Sequence, residues 1–346
     1  MKFAVAATRA SSAALLLAAL AMALPAPAAA QELNLYSSRH YQTDEALYNG
    51  FTEQTGIRIN RIEDDADKLI ARLQAEGVNS PADVFITVDA GRIWRADAAG
   101  LLQPVRSEIL EERIPASLRD PEGKWFGVSR RARVIYYDRE RVDPALFQTY
   151  EDLARPEAAG LVCIRSSDSI YQLSLLASMI EHHGADAARE WARKVVANMA
   201  RPPTGNDTAQ LRAIASGECG LALANTYYFV RLMNSDSPED QAVVDRVGVI
   251  FPNQEDRGTH VNISAAGVAA HAPNREAAVQ FLEYLAGPEA QRHFAAGNNE
   301  YTADGDAGGN EALASLGTFK ADELNVRILG ERQPEAQRLY DEAGWR

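Results

Sequence analysis

Three observations in the sequence predict an α/β fold of two lobes. Strand and helix patterns alternate from residue 33 to residue 99. Several strand segments read as continuous apolar runs, as strands covered on both faces do. A chain of 346 residues exceeds what a single hydrophobic core usually holds.

The elements follow in order. Leu33–Ser37 alternates apolar and polar residues and reads as a strand. Thr43 offers a helix N-cap, Ala46, Leu47, Gly50 and Phe51 share one helical face, and Gly56 stops the helix. Ile57–Ile62 is a second strand and Asp67–Glu76 a second helix. Asp83–Val88 reads as a buried parallel strand, followed by a helix over Arg92–Ala99 that Gly100 ends. This order implies a parallel sheet with helices on both faces.

Beyond residue 125, strands are expected at Arg133–Tyr137, Leu161–Arg165, Leu221–Ala224, Val247–Phe251 and Ala266–Ala270. Helices are expected at 170–182, at 186–199, from Tyr227 behind an Asn225-Thr226 cap, and at Arg275–Ala286. The last forty residues read as polar, with Gly-rich Asp304–Asn310 as a loop. A crossover near 130 and a return near 255 divide the chain. One lobe takes 31–130 and 258–305, the other 131–257 and 306–346. Ligands of open α/β sheets sit beyond the carboxyl ends of the strands, which says where to search.

Residues 1–30 differ from the rest. They carry Lys2 and Arg9, no acidic residue, an apolar run from Ala13 to Leu24, and an Ala-rich end. This is the pattern of a cleaved secretory signal, and the run is too short to span a bilayer. The expected product is a soluble protein outside the cytoplasm, beginning near Gln31. The whole chain carries a formal charge of −13. Without residues 1–30 it keeps 33 basic and 48 acidic side chains, a net charge of −15. Such acidity disfavours nucleic acid and anionic membranes.

Cys163 and Cys219 are the two cysteines. In an exported chain one disulfide is the simplest reading, with two buried free thiols as the alternative. Neither sits in a motif that would make it a nucleophile. Glu63-Asp64-Asp65 with Asp67 lacks the glycine and terminal glutamate of a calcium loop, so it reads as a solvated turn. His182-His183 reads as surface. Asn262-Ile263-Ser264 reads as a chance glycosylation pattern. No P-loop, HExxH or GxSxG motif is present, which leaves enzyme chemistry without a nucleophile–base pair.

Three strand ends share a feature. Ser38-Arg39-His40-Tyr41, Ser166-Ser167-Asp168-Ser169-Ile170-Tyr171 and Asn225-Thr226-Tyr227-Tyr228 each place tyrosine just past a strand. Four phenols can therefore converge on one cleft. A free tyrosine has a pKa of about 10, so only a strong hard cation such as Fe³⁺ deprotonates several at neutral pH. Four phenolates on Fe³⁺ leave one negative charge, which Arg231, Arg131 or Arg133 could offset. Spacing alone nevertheless favours an aromatic-lined pocket for an organic ligand, since tyrosine is common at half-buried strand ends.

The motifs shift that balance. Leu35–Tyr41, Ala82–Asp89, Gly127–Tyr137 and Asn225–Tyr228, in this order, resemble the ferric-iron-binding periplasmic proteins of ABC importers, in their tyrosine-rich branch with the cyanobacterial Fut-type proteins. The resemblance covers nearly all of the chain after residue 30. It implies a class II periplasmic-binding-protein fold with the metal between the lobes and an inner-membrane importer permease as partner. It implies Tyr41 as the ligand from one lobe and Tyr171, Tyr227 and Tyr228 from the other, with His40 as a reserve ligand where another branch uses histidine. That branch also uses a carboxylate and a synergistic anion. The carboxylate has no clear equivalent here, which puts the anion in doubt. The resemblance is compatible with a Cys163–Cys219 disulfide and implies a monomeric carrier that delivers iron for uptake. The rival expectation is a periplasmic receptor for a polyamine or an organic anion.

Overall fold

The computed structural model describes Met1, residues 31–39 and residues 41–346. The expected signal over 1–30 lies, Met1 apart, outside the described residues, and so does His40. The chain runs β1 (Glu32–Ser37), α1 (Asp44–Thr55), β2 (Arg58–Glu63), α2 (Ala66–Glu76), β3 (Val84–Val88), α3 (Ala90–Ala98) and α4 (Glu108–Arg113). It continues through β4 (Phe126–Asp138), β5 (Val162–Cys163), α5 (Ile170–His183), α6 (Ala185–Ala197), α7 (Asp207–Ala215), β6 (Leu221–Asn225), α8 (Thr226–Met233) and α9 (Pro238–Arg246). It closes with β7 (Val247–Ile250), β8 (Val261–Val268), α10 (Arg275–Leu285), α11 (Pro288–Asn298), α12 (Glu311–Ala314), α13 (Arg327–Glu331) and α14 (Gln333–Ala343).

Among the described residues the strands form one path, β2-β1-β3-β8-β4-β6-β5, with β7 also on β4. β1 pairs in parallel with β2, Glu32 opposite Arg58, and with β3, Leu35 opposite Val84. β8 runs antiparallel to β3, Val268 opposite Val84. Every residue of β3 is buried, as its continuous apolar run requires. The thirteen residues of β4 link the two halves. Phe126–Ala132 pair with β8, and Arg133–Asp138 pair with β6 and β7. Leu35, Phe51, Phe85 and Phe281 belong to one hydrophobic cluster, and Leu175, Trp191, Leu339 and Trp345 to another.

The structure corrects several expected elements. Strand β4 begins seven residues before Arg133, because Arg130, Arg131 and Arg133 hide an otherwise strand-like pattern; Arg131 and Arg133 are buried and paired. Strand β8 spans Val261–Val268 rather than Ala266–Ala270, since its polar Asn262 and Ser264 are buried hydrogen-bonding groups. β5 is two residues long, not five: the chain leaves the ladder after Cys163 and turns toward Tyr171. The polar-looking C-terminus folds as α13 and α14 and buries Leu339, Tyr340 and Trp345. His182 and His183 are exposed, as expected, and each is paired there. Their Nε2 atoms lie 2.7 Å from Asp322 and 2.7 Å from Glu151.

Neither expected N-cap acts through its side chain. Thr43 bonds Asn298 through its hydroxyl, and Asn225 accepts from Arg133 at 3.1 Å. Cys163 and Cys219 form a disulfide with Cα atoms 5.7 Å apart, joining β5 to the turn before β6. Closing a loop with a sequence separation of 56 stabilises the fold by about 4 kcal/mol in the chain-entropy model.

Candidate metal centre

The structure brings the tyrosines of all three strand ends together. Tyr171 is the second residue of α5. Tyr227 and Tyr228 are the second and third residues of α8. The Tyr227 hydroxyl donates to that of Tyr171 at 3.2 Å. The Tyr227 and Tyr228 rings lie 4.3 Å apart at 32°. First-turn placement makes this possible, because both phenols extend past the helix end rather than around its barrel. Tyr41, in the turn between β1 and α1, lies near enough to feel the charge of Tyr171 and of Tyr227. Ser38, Tyr41, Asp65 and Arg92 line a cavity of about 240 Å³ beside it.

Burial raises the pKa of Tyr41, Tyr227 and Tyr228. Tyr227 is pushed well above the ordinary tyrosine range by burial, then by the charges of Tyr171, Tyr41 and Tyr228, with Arg131 opposing. Tyr228 is pushed up to about 12 by burial and by Tyr171 and Asp207. Tyr41 is raised by burial and by Glu300, against Arg39 and Arg131. Tyr41, Tyr227 and Tyr228 are thus neutral by themselves at ordinary pH, and a bound cation of high charge would make their ionisation favourable.

Paired arginines surround the phenols. The Arg39 guanidinium lies 4.8 Å from the Tyr41 ring centre and pairs with Asp44 at 2.9 Å and Glu300 at 3.5 Å. Arg131 donates to Glu300 at 2.9 Å and to Ser264 at 3.1 Å. On the other side, Arg165 and Arg133 lie 5.3 and 6.0 Å from the Tyr171 ring centre, and both pair with Asp207. Glu300, the nearest acid to Tyr41 in this network, is held by Arg131, Arg39 and Ser129 and is not free to ligate. Arg231, expected to balance charge, is exposed and lies 5.7 Å from the Tyr228 ring centre.

Sequence reasoning missed Arg39, Arg165, Asp207 and Glu300. Arg39 sits two residues before Tyr41, inside a motif already singled out, and was legible there. Glu300 carries no local signal, since its partners come from the turn after β1 and from β4, far away in sequence. Among the described residues, the grouping of His, Cys, Asp and Glu close enough to hold a metal is Cys163–Glu218–Cys219, where the disulfide occupies both sulfurs.

Residues 46–323 match the family model of bacterial extracellular solute-binding proteins. The chain is 53% identical over 326 residues to iron uptake protein A2 of Synechocystis, covering 93% of each chain. It superposes with a TM-score of 0.87 on a Trichodesmium protein solved with iron and citrate ligands, 54% identical, over 91% of this chain and all of that one. The apo FutA2 structure from Synechocystis gives a TM-score of 0.88 at 53% identity, over 92% of this chain and all of the other.

Proposed function

The chain belongs to the bacterial extracellular solute-binding proteins, sharing their two-lobed fold with the iron uptake proteins, and from that premise we propose that it is a periplasmic receptor for ferric iron. Tyr41, Tyr171, Tyr227 and Tyr228 are the ligands, and the iron is cargo for an inner-membrane ABC importer. The observation that carries this reading is the meeting of tyrosines from three strand ends, with the Tyr227 and Tyr171 hydroxyls 3.2 Å apart. The relatives named above are iron proteins, which weighs against a polyamine or organic-anion receptor. The lobes are 31–130 with 258–305, and 131–257 with 306–346. The protein works as a monomer, exported by its N-terminal signal, and binds without catalysing a reaction.

Charge supports the ligand set. Arg39, Arg131, Arg133 and Arg165 face Asp44, Glu300 and Asp207, leaving one positive charge in excess around the phenols. Fe³⁺ with four phenolates carries one negative charge. The surrounding arginines, with Arg231 beside Tyr228, offset that charge; one relative was solved with citrate as well as iron. Iron docks on Tyr171, Tyr227 and Tyr228, protons leave, and lobe closure brings Tyr41 in. Reduction, protonation or opening by the importer releases it, because phenolate favours Fe³⁺ over Fe²⁺.

Metal analysis after incubation with a ferric complex and removal of the excess tests the reading. One iron per chain is expected for the wild type. The Tyr227→Phe/Tyr228→Phe double variant should lose at least about 100-fold in affinity, more than loss of an outer-shell partner costs. Equal iron content in the two proteins would exclude these ligands.

A further inference from the structure

Behind the cleft, the two lobes meet at a buried carboxylate. Asp89 follows β3 and opens α3 with φ of 80°, a backbone region that residues other than glycine rarely occupy. Such strain persists where surrounding contacts fix the residue, and here they come from four directions. The Asp89 carboxylate accepts from the Gly91 N–H at 2.8 Å, Asn262 Nδ2 at 2.7 Å, Ser174 Oγ at 3.0 Å and Gln333 Nε2 at 3.4 Å. Gln333 also donates to Ser174 at 3.2 Å. Asp89, Ser174, Asn262 and Gln333 are all buried.

These residues come from both halves of the molecule. Asp89 and Gly91 continue from β3. Ser174 lies on α5, and Gln333 opens α14; both helices pack in the cluster of Leu175 and Leu339. Glycines let the halves close on each other. A Cβ on Gly91 would lie 1.8 Å from Gln333 Nε2, and one on Gly330 would lie 2.4 Å from the Cβ of Trp94. A serine inside a helix commonly bonds a carbonyl of its own preceding turn. Ser174 instead donates across the boundary to both oxygens of Asp89. It sits three residues after Tyr171, on the same face of α5.

We propose that Asp89, Ser174 and Gln333 form an interlobe joint that fixes Tyr171 relative to Tyr41 and so sets the affinity of the tyrosine site for its cation. Asp89, Ser174 and Gln333 are positioning residues, acting through α5, and their hydrogen bonds go to one another and to Gly91 and Asn262 rather than to a phenol. This rests on the ferric-iron reading.

The test compares wild type with Ser174→Ala, Gln333→Ala and Asp89→Asn. Ser178→Ala serves as a control, removing another buried hydroxyl one turn further along α5, 3.5 Å from Asp322. Three quantities are measured: thermal midpoint, ferric affinity against a competing chelator, and the radius of gyration of the iron-free protein by X-ray scattering. The joint variants should each bind iron about tenfold or more weakly and show a larger iron-free radius. Ser178→Ala should lower the midpoint alone. Joint variants with lower midpoints but wild-type affinity and radius would reduce Asp89 to a structural residue and overturn the joint. Absence of iron binding by the wild type would defeat the ferric reading instead. The scattering comparison then decides the joint by itself, an unchanged radius overturning it.

Discussion

Tyr227 is buried among other phenols, with Arg131 as the cation that most opposes the rise in its pKa. An isolated phenol there stays protonated far above neutral pH, and Tyr41 and Tyr228 are raised with it. Under the proposed tyrosine ligation, iron binding displaces protons. The sign is fixed: the iron-free site holds its protons across the neutral range, so affinity falls as pH falls. The expected slope approaches about four log units of affinity per pH unit, one for each ligand proton. Competition against a chelator of known protonation behaviour, between pH 6 and pH 8, measures it. A slope near zero would mean that no phenol ionises on binding. At this scale the tyrosines were legible because each follows a strand. Asp207 and Glu300 were not, because their partners are assembled only by the tertiary fold: Arg133 and Arg165 for Asp207, Arg39 and Arg131 for Glu300.

Among the elements, β4 and the segment leading into β8 carry the chain between the halves, and Tyr150 ties them together. Its buried hydroxyl donates to the Arg133 carbonyl at 2.5 Å and accepts from the His260 N–H at 3.1 Å, where the Arg133 N–H also meets the His260 carbonyl at 3.1 Å. Tyr150→Phe leaves two buried backbone groups short of a partner and should destabilise the protein by about 1–3 kcal/mol in denaturant unfolding. An unchanged midpoint would show that the hydroxyl contributes nothing at the crossover. Acid acts on the same segment. Burial, with Arg133 and Arg257 beside it, lowers the pKa of His260 from 6.5 to about 3, so its contribution to stability is lost as pH falls from about 6.5 toward 3. These connecting elements were the least legible part of the fold. β4 carries three arginines and β8 carries Asn262 and Ser264, so a search for apolar runs starts both strands late. Their polar side chains are buried for a tertiary reason, to hold Glu300 and Asp89.

At the scale of the whole molecule, the alternating first half was read almost residue by residue, because each helix there packs on a parallel strand next to it in sequence. The C-terminal helices were not. Their apolar residues are sparse, and Leu339, Tyr340 and Trp345 find their partners on α5 and α6, far back in the chain. The disulfide between Cys163 and Cys219 anchors the end of β5, from which the chain turns toward Tyr171 on α5. The claim that joins these scales is that the cleft binds Fe³⁺ through tyrosinate. Visible absorption during titration of the chelator-stripped protein with a soluble ferric complex tests it most directly. The account expects a red-orange phenolate-to-iron band that saturates at one equivalent and is lost in Tyr227→Phe/Tyr228→Phe. Titration with no such band, and with no change in thermal stability, would contradict it.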